Sequence, residues 1–423
     1  MATVRMDQQD HKKIASSQSF HRRHRAARGG RAGAAGVALA FGLQCLRLPR
    51  AQAEDRADFR YETYDEGGGR IGVQTESALF ELGATPWLSL KGQFVYDAIS
   101  GATPTGAPPP SQINFATPPT GPLSDRAPIV PMHDYRTAGS FDSAFSFGQH
   151  HLTPEFSYSE EHDYVSYGGA LNYSLDLNQK NTTLNAGWSH DWDRILPYAG
   201  TYIQQAQGKD SDQLLVGINQ LLDPKTTLTV NFSFGDAVGY LNDPYRGVLF
   251  EDYPQYDPNN ISLESEKRPR YRESYSLYLS LTRFVTTLDG SAELTYRPYT
   301  DTYGITAHTV ELEWRQKIGR HLTITPSFRY YTQTAADFYG TQFPGDPSNP
   351  FDATPAPTYY SSDYRLSEME TFTYGLTITA KATDWLWFDL GYKRYNMYGL
   401  DHATSSSVYP KANIVSLSVR VWF

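Results

Sequence analysis

The sequence predicts an all-β chain: a transmembrane antiparallel up-and-down β-barrel of about sixteen strands, with fourteen or eighteen also compatible, after a cleaved signal peptide. Three observations predict it. Segments of about ten residues alternate apolar and polar side chains with the period of a strand. The connections between them are short at one end and long at the other, as barrels with short periplasmic turns require. Beyond the leader no run of eighteen apolar residues occurs, so helical spans are excluded. A barrel strand needs only every second residue apolar, and the negative mean hydropathy does not argue against it.

The chain opens on a basic stretch with Lys12, Lys13, Arg22, Arg23, Arg25, Arg28 and Arg31, followed by an apolar, small-residue run over 32–46 and by Ala51-Gln52-Ala53 before Glu54. That order is expected of a secretory signal peptide spanning residues 1–53, with the barrel occupying 54–423. Cys45 is the single cysteine, which leaves the exported part thiol-free, as suits passage through an oxidising periplasm. Residues 1–53 carry ten Lys/Arg and two Asp/Glu, leaving 27 basic against 44 acidic residues, a formal charge of −17 beyond the leader against −9 for the whole chain. Nucleic acid is excluded as a partner, because binding phosphates needs a basic footprint.

Strand patterning begins weakly over 56–64, passes a Gly67-Gly68-Gly69 turn, and continues over 71–82 and 88–98. Residues 99–132 contain nine prolines and no alternation, and read as a long loop. Further strands are expected over 135–147, 151–159, 164–176, 182–193, 210–222 and 226–240. After a long loop over 241–269 the pattern is clearest: 271–285, 289–299, 302–316 and 321–334. Another long loop, 335–363, precedes strands over 364–379 and 385–398. The chain then reaches a strand, N-I-V-S-L-S-V-R-V-W-F, at 413–423. Its apolar face carries Val415, Leu417, Val419, Val421 and Phe423. A final strand with Val419, Val421 and a terminal Phe423 is expected to be the signal read by the barrel-assembly machinery. The tally is sixteen strands, seven short turns and eight opposite connections, four or five of them long, with both termini periplasmic. The expected location is the outer membrane of a Gram-negative bacterium, with outer-membrane lipids around the barrel.

Register follows from energy. In 321–334 the outward set is Leu322, Ile324, Pro326, Phe328 and Tyr330, and a one-residue slip would turn Arg329 toward lipid at a cost of about 2–4 kcal/mol near the midplane. The same alternation makes Glu293, Arg297, Glu311, Glu313, Arg315, Arg329, Asp389, Lys393 and Arg420 candidates for lining the lumen. Tyr296, Trp314, Tyr330 and Tyr392 fit interfacial girdles. The expectation is a porin-like passage for small polar solutes, with acidic Glu293, Glu311, Glu313 and Asp389 set across or along the pore from the basic residues. The alternative is a non-conducting barrel that scaffolds a periplasmic or surface partner in an envelope redox or export assembly.

Other motifs have bland readings. Gly67-Gly68-Gly69-Arg70-Ile71-Gly72 matches a dinucleotide fingerprint literally but lacks the helix that would hold a pyrophosphate. His150 and His151 are strand neighbours and point to opposite faces. Glu160, Glu161, His162 and Asp163 form an acidic turn with hard oxygen ligands that a divalent cation could use, but a solvated loop explains it as well, and no metal or cofactor is assigned. Glu311 and Glu313 share a face, which a charged lumen already explains, and no nucleophile elbow is present. No enzymatic activity is expected.

Several longer runs resemble one family: E-S-E-K-R-P-R-Y at 264–271, L-T-Y-R-P-Y at 294–299, D-T-Y-G-I at 301–305, P-S-F-R-Y-Y-T-Q at 326–333, A-A-D-F-Y at 335–339 and S-D-Y-R-L-S at 362–367. D-A-I-S-G-A-T-P at 97–104 and Y-S-E-E-H-D-Y-V-S at 158–166 complete the set. They are similar to the Gram-negative family known as domain of unknown function 3570, over nearly all of the exported chain. The resemblance implies an outer-membrane-type barrel and carries no functional residue with it.

Overall fold

Every strand but two finds its hydrogen-bond partners in one closed ring. The computed structural model describes residues 55–104, 129–198, 200–250, 264–349, 351 and 353–423. The expected leader and the middle of the proline-rich loop lie outside them. The strands are β1 (Arg56–Asp65), β2 (Gly72–Thr85), β3 (Leu88–Pro104), β4 (Ile129–Phe147), β5 (His150–Glu160), β6 (Tyr164–Leu177), β7 (Thr182–Ile195), β8 (Gln207–Asp223) and β9 (Thr226–Gly239). Then follow a short pair, β10 (Gly247–Val248) and β11 (Glu264–Ser265), and β12 (Tyr271–Val285), β13 (Gly290–Asp301), β14 (Thr306–Ile318), β15 (Leu322–Gln333), β16 (Met369–Lys381), β17 (Leu386–Gly399) and β18 (Lys411–Trp422). Sixteen of them form the barrel, each antiparallel to its sequence neighbour, and β1 closes it on β18. The sixteen expected strands are all present.

Cross-strand partners share a face, so the ladder fixes the two surfaces. Leu294, Leu312 and Phe328 stand in one row across β13, β14 and β15. Leu294, Leu312, Leu390 and Leu417 are 49–52% exposed, so this face looks out of the protein. An outward apolar band on a closed ring satisfies both demands of a hydrocarbon environment: no free backbone groups and no polar surface at mid-height.

The two ends differ. Seven connections of two to four residues join β2–β3, β4–β5, β6–β7, β8–β9, β12–β13, β14–β15 and β16–β17 at the end that holds both strand termini. The other end carries eight connections, among them 240–270, 334–368 and 400–410. The Gly67-Gly68-Gly69 turn is one of these, all three glycines having positive φ.

Three boundaries depart from expectation. The loop foreseen over 99–132 is shorter, because β3 and β4 stay paired as far as Pro104↔Ile129. β4 meets β5 only from Thr137 onward, so Pro131, which has no N–H to donate, sits where one flank of the strand is unpartnered. The strand foreseen from 302 begins at Thr306, because the Asp301 carboxylate accepts from the N–H groups of Tyr303 and Ile305 (2.9 and 3.1 Å) and seats a turn. The strand foreseen from 364 begins at Met369, because the Asp363 side chain accepts from the Arg365 N–H and opens a 3-10 turn over Tyr364–Leu366.

The seam between first and last strands is fastened at both ends. Beyond the strand pairing, the Phe423 N–H donates to the Asp55 carbonyl at 2.9 Å. At the other end Arg70 reaches the carbonyls of Ser407 and Val408 at 2.5 and 3.0 Å and pairs with Glu66 at 2.6 Å. Val419 and Val421 lie on the outward face of β18 opposite Phe59 and Ala57.

Candidate functional site

The site is the interior of the barrel and its long-loop mouth. All nine lumen candidates fall on the face opposite Leu294, Leu312 and Phe328. Glu293 pairs in register with Glu313, Glu311 with Arg329, and Arg297 with Thr309. Arg315 bridges Glu293 and Glu313 at 3.0 and 2.5 Å. Arg420 reaches Asp389 at 3.1 Å and Asp58 at 3.6 Å. Lys393 lies over Gly375, where a Cβ would stand 2.7 Å from its Cγ. The four acidic candidates therefore sit beside the basic ones on one wall, along it and not across the lumen from them. Arg297, Arg329 and Lys393 are exposed and make no ion pair with any described residue. Trp314, Tyr296, Tyr330 and Tyr392 lie on the outward face.

The opposing charge comes from residues the strand pattern did not single out. Eight strands round the ring from β15 and β17, on the facing wall, β5 and β7 carry inward Glu155 and Asp191. These line a cavity of about 330 Å³ with Ser157, Ser189 and Gln213, and neither forms an ion pair among the described residues. Their neighbours Asp142 and Asp193 are paired, with Lys91 at 3.3 Å and Lys209 at 2.7 Å.

The mouth is partly filled by folded loops. Tyr303, Ile305, Ala336, Phe338 and Leu366 form one buried apolar cluster, and Val248, Phe250, Phe343 and Tyr360 another. Between them runs an ionic network. Asp363, 1% exposed, receives Arg268 at 2.8 Å and Arg365 at 2.5 Å. Burial alone would raise the Asp363 carboxyl, but Arg365, Arg246 and Arg268 around it pull it well below the usual carboxylate range. Glu266, also 1% exposed, pairs with Arg268 at 2.8 Å and accepts from Ser361. Arg365 further contacts Asp243. The runs at 264–271, 301–305, 335–339 and 362–367 thus meet in space, although up to a hundred residues separate them.

Beneath this network is a cavity of about 360 Å³, walled by inward residues of β12–β15 and by the loops. Arg272, Arg297, Tyr299, Thr309 and Tyr331 come from strands, and Arg268, Asp363 and Arg365 from loops. The sequence reading singled out Arg297 as a lumen candidate. Arg272, Tyr299, Thr309 and Tyr331 share the same inward alternation, whereas Arg268 and Arg365 had no signal beyond the density of arginine in two loops.

The acidic turn partly comes together. Asp134, Glu161 and Asp163 bring their carboxylate oxygens within 4.8 Å of one another, while Glu160 turns away and accepts from Tyr158. Burial, then the neighbouring Asp134 and Asp163, raise the Glu161 carboxyl. Tyr245 donates to Asp163 at 2.6 Å, and His162 Nδ1 lies 2.5 Å from Asp134. The trio could hold a hard cation through oxygen. His151 faces inward toward Ser146 and Asp176, whereas His150 contacts Tyr173, so the pair shares no ligand position.

Among solved structures the fold is similar to CdiB from Acinetobacter baumannii (9% identity, TM-score 0.49, 88% of this chain and 60% of that one). It is also similar to a bacterial polysaccharide outer membrane secretin (10%, 0.44, 88% and 100%) and to OmpT, an outer membrane protein of Vibrio cholerae (9%, 0.39, 88% and 97%). The chain spans less than two thirds of the CdiB chain. No curated protein matches the sequence. A family profile matches residues 33–415, nearly the whole of the strand-forming chain, and the protein belongs to the family described as Protein of unknown function (DUF3570).

Proposed function

We propose that the protein is an outer-membrane barrel that passes small polar solutes, selecting them by charge. The observation that carries this is the pair of facing walls: Glu155 and Asp191 on one, Arg329 and Lys393 on the other, all unpaired among the described residues and all turned inward. Buried charges without partners are costly, so these side chains are understandable only in contact with water. A sixteen-strand ring is wide enough to leave an aqueous channel, and opposed charges across it orient a dipolar or charged solute during passage. The leader over 1–53 would deliver the chain to the periplasm, and the closing strand with Val419, Val421 and Phe423 would be read during assembly.

The test is conductance of the refolded protein in a planar bilayer, with residues 105–128 present and then replaced by a short turn. Steady unitary conductance is expected in both, larger in the shortened chain if that loop narrows the mouth. Silence in both sinks the proposal. The folded loops of the mouth favour one other reading, a closed barrel that presents this rigid surface to a partner, and silence together with a stoichiometric co-purifying protein is its signature.

A further inference from the structure

The passage reading leaves open what the cavity beneath the loops is for. Its charge is unlike that of the molecule. The chain beyond the leader is strongly acidic, yet four arginines and one carboxylate surround this space.

Three of the arginines are held from behind. Arg272 donates to Asp301 at 3.0 Å and lies over the Tyr303 ring, 4.6 Å from its centroid. Arg268 is fixed by Glu266 and Asp363, and Arg365 by Asp363 and Asp243. Tyr299 donates to Asp301 at 2.7 Å and Tyr331 to Gln333 at 2.5 Å, so both tyrosine hydroxyls of the wall are satisfied internally. Arg246 also pairs with Asp243. Asp301, Glu266, Asp363 and Asp243 thus balance Arg272, Arg268, Arg365 and Arg246, and the excess cation is Arg297. It is exposed to the cavity and makes no hydrogen bond or ion pair with any described residue. Its five N–H donors form a fork shaped for two oxygens of one group.

We propose that this cavity binds the oxyanion group, carboxylate or phosphate, of a small solute, and that Arg297 is the residue that engages it. The inference rests on the passage reading for its biological sense, since it names the solute class the mouth would collect, but the binding itself can be measured alone. The neighbouring guanidinium groups are already oriented, so little is lost in ordering them, and an uncharged solute would gain nothing that offsets removing water from the arginine.

The experiment is equilibrium binding by titration calorimetry on the refolded full-length protein. Succinate and inorganic phosphate are the probes and succinamide the uncharged control. Saturable binding of at least one anion is expected, with none for succinamide. Whether succinate or phosphate binds more tightly identifies the source of the oxyanion. Arg297→Gln should weaken that binding roughly ten-fold or more, and Arg297→Lys, which keeps the charge but not the fork, should recover only part of it. Because Arg297 holds no other residue in place, neither change should disturb folding, which the shift of unheated protein on a denaturing gel will verify. The proposal is overturned if wild-type protein binds neither anion, or if Arg297→Gln binds as tightly as wild type. Bilayer conductance of the same preparation separates the two ideas: binding without conductance removes the passage and keeps the site, and conductance without binding does the reverse.

Discussion

The two ends of this barrel solve the same problem, reversing a strand, with opposite means. At the short-turn end, reversal takes two to four residues, and the turn residues meet little else: a Cβ built on Gly148 or Gly319 finds nothing within 4 Å. At the long-loop end, the reversals pack on one another through buried aromatics and arginine–carboxylate pairs. The lesson is that a barrel's strands can be specified by pattern alone, whereas its mouth has a core of its own that must be folded by contacts between distant segments.

The contrast can be broken most forcefully at its hub. Asp363→Ala removes the carboxylate that Arg268, Arg365 and Arg246 share, leaving Glu266 and Asp243 to balance them, and breaking such a buried pair costs about 3–5 kcal/mol. Hydrogen exchange should show amides of 240–250 and 336–349 losing protection while β5–β8 keep theirs. Uniform loss through the barrel would mean that the mouth is no independent unit.

Glycine offers a sharper comparison of the ends. Gly319, with φ +63°, and Gly345, with φ +79°, both occupy left-handed backbone. A Cβ on Gly345 would stand 2.3 Å from the Thr354 carbonyl oxygen, backbone that cannot simply swing aside. Gly345→Ala should therefore cost about 2–4 kcal/mol of mouth stability, the left-handed penalty plus overpacking. Gly319→Ala should cost about 1 kcal/mol. Equal costs in denaturant melts of the two variants would refute the picture of one packed and one open end.

The smallest effect is on pH. Glu161 is raised, so the folded mouth holds a proton there that the unfolded chain releases at lower pH, and stability falls as pH climbs above about 4.3. Asp363 is depressed, so its contribution is present above about pH 3.9 and declines below it. The free energy of mouth opening, corrected for intrinsic exchange, should peak near about pH 4 and fall on both sides. Glu161→Gln should flatten the alkaline limb and leave the acid limb alone. If both limbs persist in that variant, another group is responsible.

Legibility followed the same division. Alternation located every barrel strand, because a period of two is imposed by lipid on one side and water on the other. In 321–334 it also sorted Phe328 from Arg329. It overran at 302 and 364, where Asp301 and Asp363 use their side chains to build turns that alternation does not register. The site was half legible. Arg297 and Arg329 were found because they sit on strands, and Glu155 and Asp191 were passed over although they do too, their place across the ring from Arg329 and Lys393 emerging only once the barrel is closed. Arg268 and Arg365 lay in loops, where nothing in the order of residues says that position 268 meets position 363. The charged runs at 264–271 and 362–367 were noticed as signatures, and the structure supplies what they have in common.

The doubly fastened seam has a consequence for how anything could leave the barrel. Where the first and last strands of a ring are held only by a frayed ladder, they can part and let cargo slip sideways into the bilayer. Here all ten residues of β1 are paired with β18, Phe423 ties one end to Asp55, and Arg70 rivets the other to the last loop. For the passage proposed above, the closed seam would leave a solute no exit between β1 and β18, and its route would run along the axis from the arginine-lined mouth to the rim of short turns.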